Sequence, residues 1–106
     1  MPLGALTPLG PAHTGANVFF EGRAVAVLDE GLWLDTLDGA TVFVRVVDAN
    51  GATVTEGAGL SGRGIVRHDP IRVGGWIDDA GLDEAERTGL VTGYYIETTV
   101  SRLRGR

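Results

Sequence analysis

Trp33, Phe43 and Arg45, followed by Arg63, Arg67 and Trp76, are the residues of this chain whose types and spacing suit them to chemistry. An exposed aromatic ring offers a flat face to a base, a contact worth roughly 1–3 kcal/mol. A guanidinium is a planar fork that stacks on a base or grips a phosphate with two bonds. Aromatic rings interleaved with arginines therefore point to a surface for single-stranded nucleic acid. Arg63, Arg67 and His68, with Arg72 nearby, flank a turn and offer a second place for phosphate or an acidic partner surface. The competing assignment is structural, with Trp33 and Phe43 in the core and the arginines paired with the chain's own carboxylates.

Other patterns carry less. Gly57-Ala-Gly-Leu-Ser-Gly62 matches the dinucleotide fingerprint by letter, but that motif needs a following helix to hold a pyrophosphate. The residues after it, Arg63 to Pro70, read as strand and turn, so Glu56 to Gly64 is expected to be a glycine-rich loop. His13 and His68 have no second histidine at ligand spacing. Asp78, Asp79, Asp83, Glu84 and Glu86 lack the spacing of a calcium loop. No metal and no cofactor is expected. Asp78-Asp79 leaves a residual enzyme reading, yet adjacent side chains on a chain point apart and no nucleophile or oxyanion device accompanies them. No catalytic residue is assigned.

The formal net charge of −5 opposes strong, general attraction to nucleic acid, because phosphate neutralisation provides most of that affinity. The charge is unevenly spread. Residues 17–59 and 76–90 are acidic, whereas 60–75 and 91–106 carry an excess of arginine. If the two basic segments meet in space, a local cationic patch survives the global charge. Binding through it is expected to be weak and salt-sensitive. Every cation is arginine and there is no cysteine, which excludes disulfides and thiolate metal sites. A cysteine-free chain suits a reducing compartment, and a cytoplasmic location is expected. No run approaches the ~18 apolar residues of a membrane span.

The elements that must position these residues are mostly strands. The 106 residues form one domain, read as an N-terminal arm over 1–16 and a β-domain over 17–106. The arm holds no Lys or Arg, and its prolines and glycines break the apolar stretches that a secretory leader requires. Strands are predicted at Val18–Leu28, with a bend or bulge at Gly22, at Leu32–Thr36 and at Thr41–Val47, with turns at Asp29-Glu30-Gly31 and Asp38-Gly39. Asn50-Gly51 marks a tight turn, leading to a small excursion through Thr53–Thr55. Further strands are predicted at Gly64–Arg67, Ile71–Ile77 and Tyr94–Leu103, followed by a charged tail, Arg104 to Arg106. One helix is predicted at Leu82–Thr88, with acids at its start and Gly89 as its stop.

This pattern resembles the OB-fold, the five-stranded Greek-key barrel. The resemblance lies in Gly22-Arg-Ala-Val-Ala-Val27, in the hairpin from Trp33-Leu-Asp35 through Asp38-Gly39 to Val42-Phe-Val-Arg-Val46, in Arg72-Val-Gly-Gly-Trp76 and in Tyr95-Ile-Glu-Thr-Thr-Val100. It implies an all-β, OB-like barrel with one short helix before the last strand, a place that differs from the usual one after strand three. An SH3-like or other small barrel would share much of the pattern. In OB-type barrels the hairpin that carries Trp33, Phe43 and Arg45 is where bases or sugars stack. Val42, Val44 and Val46 then point inward, leaving Thr41, Phe43 and Arg45 outward. Trp33 joins Phe43 if three residues form the turn and enters the core if two do, because a one-residue slip reverses every side chain.

The expected function is a non-enzymatic binding module for single-stranded nucleic acid through Trp33, Phe43, Arg45, Arg63, Arg67 and Trp76. The alternative is a protein–protein adaptor or assembly subunit, which needs no basic groove and can use exposed strand edges. Leu3, Leu6 and Leu9 recur at the interval of a polyproline-II stripe. The arm is therefore expected to pack on its own barrel or on a second copy, forming a homo-oligomer.

Overall fold

Inward and outward residues alternate from the start of β1 (Asn17–Leu28), with Val18, Phe20 and Ala24 buried and Asn17, Phe19 and Arg23 exposed. The computed structural model describes residues 14–36, 40–47, 56–84, 90–99 and 102–105. After β1 come β2 (Gly31–Thr36), β3 (Thr41–Val46), β4 (Gly59–His68), α1 (Pro70–Ala80), β5 (Leu90–Thr98) and β6 (Leu103–Gly105). Hydrogen bonding runs in the order β1-β2-β3-β5-β4, and β4 pairs again with β1 to close the circle. The β3–β5 pair is parallel, and the other pairs are antiparallel. This is a closed five-stranded, OB-like barrel. Short β6 lies alongside β4 outside the circle.

Closure depends on long strands that serve two neighbours. Residues 22–28 of β1 pair with β2, and residues 17–23 pair with β4. Gly22 lies in the overlap, where a Cβ would run into the Asp35 carbonyl oxygen. The bulge itself falls further on, between Ala24 and Ala26. It moves Ala26 off the barrel interior and onto the outer face, beside Trp33.

The interior is filled by Phe20, Leu32, Leu34, Val42, Val44, Val66 and Ile96. Each contributes roughly 1.5–3 kcal/mol on burial. Slipping any strand by one residue would expose its share of them, and this fixes the register. Val42 and Val44 point inward while Phe43 and Arg45 point outward, as the alternation predicts.

Several predicted boundaries change. Gly59–Gly64, predicted as loop, belongs to β4, and its glycines answer a need for space. A Cβ on Gly62 would lie 2.7 Å from the Arg102 carbonyl and 2.8 Å from the Phe20 ring, and one on Gly64 2.5 Å from Ile96. Ile71–Ile77, predicted as a strand, lies within α1. Asp69 caps that helix by accepting a hydrogen bond from the Arg72 N–H at 3.1 Å, Pro70 opens it, and Gly81 ends it in the left-handed region at φ 61°. Val73 and Trp76, spaced for a helix rather than a strand, supply its buried side. The last strand divides into β5 and β6, so Arg104 sits in a strand rather than a tail.

Gly15 donates to the Val66 carbonyl at 2.8 Å, and the Val66 N–H donates to Ala16 at 3.0 Å, fastening the end of the arm to β4. Residues 1–13, the turns at Asp38-Gly39 and Asn50-Gly51, the Thr53–Thr55 excursion, and residues 85–89, which hold most of the predicted Leu82–Thr88 helix and its Gly89 stop, lie outside the described residues.

Candidate functional site

The barrel presents two outer faces of different character. On the first, alternation along β2, β3 and β5 turns Trp33, Phe43 and Tyr95 outward. Trp33 pairs directly with Phe43, because the Thr36 N–H donates to the Ala40 carbonyl at 2.8 Å and leaves three residues between them. That is the register in which both rings belong to one surface. Helix α1 covers it. Trp76 lies flat on Phe43, with ring centroids 3.9 Å apart and planes 11° apart. Trp33 meets Phe43 edge-on at 5.3 Å, and Tyr95 meets Trp76 edge-on at 5.1 Å.

Two hydrogen bonds fasten this cover. The Trp33 indole Nε1 donates to the Trp76 carbonyl at 3.0 Å, and the Trp76 Nε1 donates to Glu30 Oε2 at 2.5 Å. Exposure is 0% for Trp33, 0% for Phe43 and 4% for Trp76, so their ring faces engage one another and leave no room for a base in this arrangement. The change of Ile71–Ile77 from strand to helix is the cause. Around the rim of this cover, Asp29, Glu30 and Asp79 line an acidic groove with Val27 and Leu28.

The second face belongs to β1, β4 and β6, and it is open. Phe19 pairs with Arg63 across β1–β4, and Ser61 pairs with Arg104 across β4–β6. Together with Asn17 and Arg102 they line a groove of about 580 Å³. Phe19 is 38% exposed, and all three arginines are exposed. Among the described residues, Arg63, Arg102 and Arg104 take no part in an ion pair. Glu21 on β1, opposite Ser61, is the acidic residue of this row.

The remaining predicted arginines do not line this groove. Arg45 on β3 lies 3.4 Å from Glu97, and Arg67 on β4 lies 3.8 Å from the same carboxylate. Arg72 turns away to Asp69 at the start of α1. The six predicted residues thus divide: Trp33, Phe43 and Trp76 form the covered cluster, Arg63 lines the groove, and Arg45 and Arg67 flank Glu97. Sequence reasoning missed Phe19, and it marked Arg102 and Arg104 only as part of a basic segment and a tail that could dock on a partner, not as groove residues beside Arg63. Phe19 occupies an odd, outward position of β1, the same phase as Asn17 and Arg23, and that phase was the available signal.

Among the described residues no cluster of three or more His, Cys, Asp or Glu could hold a metal ion, and no helix is long and apolar enough to cross a membrane. Compared with protein-family models, curated proteins and solved structures, the chain matches none of them.

Proposed function

We propose that this protein is a non-enzymatic binding module that holds single-stranded nucleic acid in the groove of β1, β4 and β6. The observation that carries this reading is the convergence of Arg63, Arg102 and Arg104 with the exposed Phe19 ring on one open face of an acidic chain. Two arginine-bearing segments distant in sequence meet there, forming the local patch that the charge distribution calls for. The guanidinium forks engage phosphates, Phe19 stacks a base, and Asn17 and Ser61 supply polar contacts at the groove floor. The acidic remainder of the surface confines the attraction to this strip. With three phosphate contacts on a single strand, the logarithm of affinity falls against the logarithm of salt with a slope of about −2.

Fluorescence anisotropy with a labelled oligonucleotide at low salt tests the proposal. Saturable binding that Arg63→Gln/Arg102→Gln/Arg104→Gln abolishes supports it, and no binding at tens of micromolar protein overturns it. A second reading rests on β6, which pairs with β4 and lies at the end of the sheet order. Its other edge can receive a strand from a protein partner. Light scattering and partner capture that Leu103→Pro disrupts would favour that reading over the first.

A further inference from the structure

We infer that the ligand track of this groove continues along β4 to Arg67, and that Glu97 governs its strength by competing for the Arg67 guanidinium. This rests on the reading proposed above. Alternation along β4 puts Ser61, Arg63, Ile65 and Arg67 on the outer face. Arg63 and Arg67 are therefore about 13 Å apart along the strand, at roughly 3.3 Å per residue. The Arg63 end of the track is fastened to β5, where the Thr98 hydroxyl donates to the Arg63 carbonyl at 2.5 Å.

Glu97 stands beside this track on β5. It pairs with Ile65 of β4 on one side and with Arg45 of β3 on the other. Its carboxylate consequently serves two guanidiniums, Arg45 at 3.4 Å and Arg67 at 3.8 Å. One negative charge against two positive ones leaves a net positive site. The two arginines are not equivalent: the Arg45 side chain is 28% exposed and the more distant Arg67 46%. Arg45 anchors the carboxylate, and Arg67 is the arm free to exchange it for another anion. In the unaltered protein Glu97 keeps Arg67 from the phosphodiester held at Arg63, and removing its charge frees Arg67 to take one phosphate more, an exchange of one anion for another with no covalent step. Glu97 is thus a positioning residue that holds Arg67 back and lowers the affinity of the track.

The test is a salt series with a fluorescein-labelled oligothymidylate and the full chain. Glu97→Gln keeps the side chain's size and removes its charge. It should bind two- to fivefold more tightly at low salt, the range of an exposed ion pair. Its salt slope should steepen by about 0.7, the value of one further phosphate on a single strand. Adding Arg67→Gln should cancel both gains. Glu97→Thr, a residue suited to strands, gives the same result if the glutamine variant does not fold. A slope equal to that of the unaltered protein, or a gain that survives the loss of Arg67, overturns this inference and leaves the groove reading standing. Absence of binding by both the unaltered and the Glu97→Gln proteins overturns both.

Discussion

The covered face of β2, β3 and β5 and the open face of β1, β4 and β6 are two outer surfaces of one barrel, built by the same alternation. The first carries Trp33, Phe43 and Tyr95 and is closed by α1; the second carries Phe19 and the arginines and, among the described residues, has no helix over it. An aromatic stripe on an outward strand phase is thus no measure of a site. What the rest of the chain lays over it decides whether it stores stability or meets a ligand. Apolar burial dominates the first face and exposed charge the second, so substitutions on the two should separate stability from binding.

Trp76→Ala should have the largest effect. It removes the ring that lies on Phe43 and the indole bonded to Glu30, and a buried tryptophan truncation costs roughly 3–5 kcal/mol. A thermal melt reads this directly, and a loss below 1 kcal/mol would break the contrast between the faces. Gly22→Ala should follow. Its Cβ meets the Asp35 carbonyl at the point where β1 changes partners, so overpacking should cost about 1–3 kcal/mol in a denaturant titration.

Asp69→Ala removes the cap of α1 and should cost about 1 kcal/mol, loosening the covered face while leaving the arginine groove intact. In the opposite direction, Gly74→Ala and Gly75→Ala should each add roughly 0.4–1 kcal/mol, since neither new Cβ meets a neighbour within 4 Å and both positions are helical. Smallest in stability is the arginine set. Replacing Arg63, Arg102 or Arg104 with Gln should shift stability by no more than about 0.5 kcal/mol each while weakening oligonucleotide binding. A melting temperature that fell with each of them would give these side chains a structural role and blur the distinction.

Much of the barrel was legible because period-two alternation needs only local sequence. Val42, Val44 and their outward neighbours Phe43 and Arg45 fell where the pattern put them. The helix was not legible in the same way. Ile71, Val73 and Trp76 are strand-prone types, and Gly74-Gly75 disfavours a helix by about 1 kcal/mol per glycine. Tertiary burial of Val73 and Trp76 overrode that preference, while Asp69-Pro70 was the helix-start signal present in the sequence. For the site, the arginines could be picked out by type, but not grouped. That Arg63 joins Arg102 and Arg104 while Arg67 joins Arg45 is set by pairings between strands far apart in sequence. The glycines of β4 misled for a related reason: they mimic a loop when read singly and mark close crossings once the neighbouring strands are in place.

The chain has two tryptophans, and both lie in the cluster beneath and within α1, while the barrel interior has none. Intrinsic emission therefore views the molecule from one side only. Excited at the indole band, the protein reports first whether the helix is seated on Trp33 and Phe43, and the packing around Phe20 and Ile96 only through the strands that carry them. Far-ultraviolet circular dichroism sums the whole backbone, strands and helix together. Followed together through a denaturant series, the two optical signals time the departure of the helix against the opening of the barrel, with no label attached.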